Sequence, residues 1–186
     1  ALIPYGAIAA LVVFQPELRT GLARLGQNQF MRFLRSMEES QEAEELIEAI
    51  IELARLKRGA IVAIQREVGL EEYAETGSKV GAPVSAQMLK TIFTPYTPLH
   101  DGAVIINGGT IVTAGAILPL TQLPVRDKSL GTRHRAALGL SEETDALVVV
   151  VSEETSRISV AQGGRIELGV DEARLREILT GVLAAA

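Results

Sequence analysis

At 186 residues with 47% apolar side chains, the chain is long enough for one domain with a substantial core. It has no cysteine, which excludes disulfides, thiolate catalysis and cysteine-based zinc sites. A net charge of -5, with glutamates concentrated between Glu38 and Glu52, supplies no basic field for a long nucleic acid, so none is expected as a partner. A small anionic ligand would still need only a local cluster of cations.

In chain order, residues Ala1 to Phe14 are almost wholly apolar and are interrupted only around Pro4, Tyr5 and Gly6. The stretch is shorter than the roughly 20 residues a bilayer requires, and it lacks the basic start and cleavage site of a signal peptide. The cut end of a transmembrane helix and a core helix or docking arm both fit it. Apolar residues at helical spacing predict a helix over Glu17–Arg35 and a second over Glu42–Leu56, with Ser40 as N-cap and Gly59 as the stop. β-Branched runs predict strands at Ala60–Gln65, Ala103–Ile106, Thr110–Leu118 and Ala146–Val151, with weaker ones at Ile158–Ala161 and Arg165–Leu168. Asn107-Gly108-Gly109 reads as a hairpin turn, which makes the sheet mixed. Further helices are expected over Ser85–Ile92, Arg133–Leu140 and Asp171–Ala184. The alternation predicts an α/β fold in which a mixed central β-sheet is flanked by helices, with an N-terminal helical extension.

Familiar signatures are missing: the chain contains no phosphate-binding G-x-x-x-x-G-K-[ST], no G-x-G-x-x-G, no G-x-S-x-G and no H-E-x-x-H. Three short clusters stand out instead, two of them holding the chain's two histidines. In Pro98-Leu99-His100-Asp101-Gly102-Ala103, Gly102 would let a ligand approach the main chain, and Asp101 with His100 could hold Mg2+, Mn2+ or Co2+. An Asx-type turn would use the same residues structurally. In Gly131-Thr132-Arg133-His134-Arg135-Ala136-Ala137, a loop runs into a helix N-terminus. Free amides, Thr132 and planar arginine forks there suit phosphate oxygens, against the alternative of a solvated basic turn. Ser152-Glu153-Glu154-Thr155 follows a strand directly, where Glu154 could bind a metal or a ribose hydroxyl, or simply sit in a charged turn.

Taken in order, these clusters closely resemble the diadenylate cyclase (DAC) domain, whose hallmarks are a DGA and an RHR motif. The likeness extends from Phe14-Gln15-Pro16-Glu17-Leu18-Arg19 to about Val160 and is nearest to the membrane-anchored CdaA type. Two departures are Ser156, where the family has Gly, and Thr97, where it has Ser. The resemblance implies a nucleotidyltransferase that condenses two ATP into cyclic di-AMP and releases two pyrophosphates, with a divalent metal ion as cofactor. It implies catalytic roles for Asp101, Arg133 and His134. Gly102, Ala103, Leu118, Thr132, Arg133, His134, Ser152, Glu153 and Glu154 would bind ATP, and His100 and Asp101 the metal. Because each ATP must present its 3′-hydroxyl to the other's α-phosphorus, a head-to-head homodimer is expected. The resemblance further implies residues 1–14 as a transmembrane remnant, 15–58 as a helical linker with the first helices, and 59–186 as the catalytic core facing the cytoplasm. It implies a YbbR-domain membrane regulator and phosphoglucosamine mutase as partners. A catalytically silent ATP-binding module is the competing expectation.

Overall fold

The computed structural model describes residues 40–122 and 130–183. The apolar stretch Ala1–Phe14, the Phe14–Arg19 segment and the helix expected over Glu17–Arg35 lie outside the described residues.

Helix α1 is already under way at Ser40 and runs through residues 40–55. It buries Ala43, Leu46, Ile47, Ala49, Ile50 and Leu53 as one continuous stripe. Strand β1 (Ala60–Ile64) follows, then the short helix α2 (Glu71–Ala74), strand β2 (Ser78–Pro83), helix α3 (Ala86–Ile92), and strands β3 (Ala103–Asn107) and β4 (Thr110–Ala116). Helix α4 (Thr132–Glu143), strands β5 (Leu147–Val151), β6 (Ile158–Gln162) and β7 (Arg165–Leu168), and helix α5 (Glu172–Leu183) complete the order.

The strands form one seven-stranded sheet in the order β2-β4-β3-β1-β5-β6-β7. Among the described strands only β1 and β3 pair in parallel, Val62 opposite Val104; β5 lies antiparallel to β1, with Ala60 opposite Val151. All five residues of β1 and of β5 are buried, which is why these strands read as unbroken apolar runs rather than alternating ones. Their alternate residues feed two cores. Ala60, Val62, Ile64, Val149 and Val151 pack with α1, α3 and α5, whereas Ile61, Ala63, Val148 and Val150 pack with Ala137 and Leu140 of α4.

Ser40, expected as the N-cap of α1, lies within the helix instead, whereas two later helices open on side-chain caps. Ser85 Oγ accepts from the Met88 N–H at 3.3 Å, and Asp171 Oδ1 from the Arg174 N–H at 2.8 Å. Gly108 and Gly109, at φ 51 and 71, make the tight β3–β4 turn.

Three expectations are corrected. Helix α4 continues three residues beyond Leu140 to Glu143, and its interior Gly139 packs against the backbone of Pro119. Strand β2 and helix α2 were not expected; β2, Ser78-Lys79-Val80-Gly81-Ala82-Pro83, is an exposed edge strand whose Gly and Pro hide its character. Gly59 does not stop α1, since Lys57, at φ 54, takes the left-handed closing position. Among the described residues no helix is long and apolar enough to cross a membrane.

Candidate active site

Parallel α/β sheets place ligands at the carboxyl ends of their strands. Here the antiparallel insertion of β4 and β5 changes that geometry. At one end of the sheet, β1 and β3 begin while β4 and β5 finish, so the segments around Gly59, Asp101, Leu118 and Glu153 converge. Helix α4 adds its first turn. Together they enclose a cavity of about 500 Å3, within the size range of single-ligand clefts.

The cavity has two chemical halves. Ile61, Ala103, Ala116, Leu118 and Ala136 form an apolar wall, extended at the rim by Ile117 and Leu120, which are exposed. Asp101, Thr132, Arg133 and Glu153 form the polar half. Such a division suits a flat heterocycle at one end and charged oxygens at the other.

Gly102 shapes the floor. At φ 119 its backbone is in a region closed to L side chains, and a Cβ there would come within 2.6 Å of the Gly115 carbonyl carbon. The β3 and β4 backbones therefore touch at this point, and the ladder register shifts between Ala103 and Ile105. Asp101 is left exposed at the lip, with no ion pair among the described residues. Beside it, His100 Nδ1 lies 2.6 Å from the Thr97 carbonyl oxygen. A carbonyl can only accept, so this contact assigns a proton to Nδ1 and turns Nε2 into the nitrogen that would meet a cation.

Arg133 Nη1 pairs with Glu153 Oε2 at 3.1 Å, which joins the second and third sequence clusters across the cavity mouth. Gly131 caps α4 without a side-chain bond, so the first-turn amides of Thr132 and Arg133 face outward unsatisfied by a cap. The opposite wall is strapped to the same helix. The Thr121 N–H donates to the Arg135 carbonyl at 3.0 Å and Thr121 Oγ1 donates to Glu142 Oε1 at 2.6 Å. From the other side, the Ile117 N–H donates to Thr76 Oγ1 at 2.8 Å.

Of the expected residues, Asp101, Gly102, Ala103, Leu118, Thr132, Arg133 and Glu153 line the cavity, whereas His100, His134, Ser152 and Glu154 do not. His134 is buried on the sheet side of α4, its Nε2 3.4 Å from Ser159 Oγ on β6. Ser152 builds the turn after β5: its Oγ accepts from the Thr155 N–H at 3.2 Å and its carbonyl from the Ser156 N–H at 2.9 Å. Ser156, at φ 59, does adopt the conformation that glycine would take more easily. Glu154 stands exposed in that turn. Thr76, Thr121, Gly59 and Gly139 support the site but were not expected, because isolated Thr and Gly residues carry no periodicity or motif.

Among the described residues no three His, Asp or Glu side chains lie close enough to form an all-protein metal site. Asp101 on the cavity wall and the adjoining His100 are the donors on offer, since Glu153 is engaged by Arg133. That set fits a cation that completes its shell with phosphate oxygens and water, as Mg2+ commonly does.

A nucleotide-binding α/β domain is the class that this fold and cavity define. The family model for DAC, described as DisA bacterial checkpoint controller nucleotide-binding, matches residues 47–166. The chain belongs to the DAC, or diadenylate cyclase, family. A diadenylate cyclase of Listeria monocytogenes is 45% identical over 183 residues, covering 96% of this chain and 66% of the relative. Cyclic di-AMP synthase CdaA of Bacillus subtilis is 45% identical over 182 residues, covering 95% and 66%. The chain thus spans slightly under two thirds of the length of both relatives. The crystal structure of a double mutant of DacA from Staphylococcus aureus superposes with a TM-score of 0.77 at 39% identity, covering 79% of this chain and 98% of that one.

Proposed function

We propose that this chain is a metal-dependent diadenylate cyclase, which converts two ATP into one cyclic di-AMP and two pyrophosphates across a head-to-head homodimer. The observation that carries the reading is the single cavity in which Asp101, Gly102 and Ala103, Thr132 and Arg133, and Glu153 meet, although they come from three separate segments. In the reaction, each 3′-oxygen forms a bond to the other nucleotide's α-phosphorus. The bond from that phosphorus to the bridging oxygen breaks, pyrophosphate leaves, and the hydroxyl proton is lost. Little covalent chemistry is asked of the protein beyond alignment and charge stabilisation.

The apolar wall would hold adenine, with the Leu118 backbone meeting its edge. Gly102 and the first-turn amides of α4 bring main chain close to the phosphates, and Arg133 offers its guanidinium to charge developing on the α-phosphate. Asp101 is placed to accept the 3′-hydroxyl proton or to hold the metal, with His100 Nε2 as a second donor. The cation, when bound, supplies Lewis-acid polarisation of phosphate oxygens. His134 works from behind by bracing α4 against β6, and Ser152 holds the turn that presents Glu153 and Glu154 to the triphosphate side. The apolar residues 1–14 and the likeness to CdaA support attachment to a bacterial membrane with this domain in the cytoplasm. A YbbR-domain regulator and phosphoglucosamine mutase are the partners proposed on the same likeness.

Incubation with ATP and, separately, Mg2+, Mn2+ or Co2+ tests the reading, with products resolved by anion exchange and mass. Cyclic di-AMP with pyrophosphate is the expected outcome. ATP that binds yet stays intact with all three metals at high protein concentration would transfer the reading to a silent ATP-binding module.

A further inference from the structure

Gly59 stands between α1 and β1, where a glycine would ordinarily end a helix. Helix α1 is closed without it. Lys57 holds the left-handed position, its N–H donating to the Ala54 carbonyl at 3.1 Å, while the Arg58 N–H donates to the Leu53 carbonyl at 2.9 Å. Gly59 itself is not in the left-handed region, so its backbone makes no demand for glycine. Space does. A Cβ at residue 59 would lie 2.6 Å from Arg133 Nη1, 2.7 Å from Arg133 Cζ and 2.8 Å from Glu153 Oε2.

We infer that Gly59 is a positioning residue for the nucleotide's phosphates: its bare backbone is the floor on which the Arg133–Glu153 ion pair rests. The inference rests on reading the cavity as an ATP site. The ion pair with Glu153 engages one N–H group of a guanidinium that has five, leaving the rest of the fork to be aimed at an anion. Where the fork points is set by where the pair can sit. The three atoms nearest a methyl group at residue 59 belong to the ends of two long side chains, which can swing away. The fold is therefore kept and the cation displaced.

The test is a double-mutant cycle between Gly59→Ala and Arg133→Ala, read by calorimetric titration with 3′-deoxy-ATP and with adenosine. The deoxy analogue lacks the attacking hydroxyl, so binding is measured without turnover. Gly59→Ala is expected to weaken 3′-deoxy-ATP by about tenfold, the order for one misplaced charge-assisted hydrogen bond. Adenosine affinity should stay put, and the substitution should add nothing once Arg133 is already Ala. Equal weakening of adenosine, an undiminished loss in the Arg133→Ala background, or no loss at all would each overturn the inference. Should Gly59→Ala alone fail to fold, folding of the double variant would locate the collision at Arg133 and support it, and failure of both would overturn it. A parent chain that bound neither probe would instead remove the ATP reading, and this inference with it.

Discussion

Asp101 is the residue on which most of the proposed chemistry turns. Its carboxylate is exposed at the lip of the cavity, and Gly102 behind it occupies a backbone conformation that no other residue could share. Replacement by Asn keeps the shape and removes the charge and proton-accepting capacity. Asp101→Asn is therefore expected to lower turnover by at least about 10²-fold while ATP binding is largely retained. Steady-state kinetics beside titration calorimetry would check this; unchanged turnover would remove Asp101 from the machinery. At this scale the sequence was informative wherever several special residues fell within six or seven positions, as around His100 and Arg133. It was silent on Gly59 and Thr76, whose significance lies in what they meet far along the chain.

Among the elements, α4 carries two opposing demands. Gly139 in its interior weakens the helix by about 1 kcal/mol relative to alanine. Yet a Cβ there would approach the Pro119 carbonyl oxygen to 2.2 Å and the Thr121 nitrogen to 2.8 Å, both backbone atoms that cannot turn aside. The collision outweighs the gain in propensity, so Gly139→Ala should destabilise the fold by about 1–3 kcal/mol, read as a shift in the urea midpoint. A stabilised variant would mean that the Pro119–Thr121 wall yields freely.

Helix α2 is tied to the other end of α4 by the Tyr73 hydroxyl, which donates to Glu143 Oε2 at 2.7 Å. That bond, with burial and the negative charge of Glu143 behind it, pushes the Tyr73 phenol up from 10.0 to about 12. The folded state thus holds this proton more tightly than the unfolded chain, and the stabilisation is complete below pH 10.0 and lost as pH rises towards 12. Urea midpoints measured across that window should fall more steeply for the parent than for Tyr73→Phe. Lysine titration is common to both, so parallel curves would exclude the contribution.

For the whole molecule, the decisive feature is that the three clusters of one chain meet in the same nucleotide-sized cavity, whereas the proposed reaction joins two nucleotides. Catalysis then depends on association, and binding does not. Turnover per chain is expected to fall on dilution while ATP bound per chain stays constant, measured over a dilution series alongside sedimentation. Full activity in a species that sediments as a monomer would contradict the two-chain arrangement.

Strands β1 and β5 could be recognised from sequence because burial on both faces leaves a direct mark, an unbroken β-branched run, and the helix starts near Ser85 and Asp171 because capping is chemistry within three residues. The edge strand β2 could not, since Gly81 and Pro83 are tolerated where, among the described strands, one side of it has no neighbour. The sequence by itself determined the mixed α/β class and the three clusters whose order marks the family, for each is written in local spacing and residue type. Tertiary structure alone decided that Arg133 meets Glu153 over Gly59, that His134 turns to the sheet, and that α4 runs on to Glu143. Those outcomes depend on strand order and register, which bring together residues tens of positions apart that no local pattern connects.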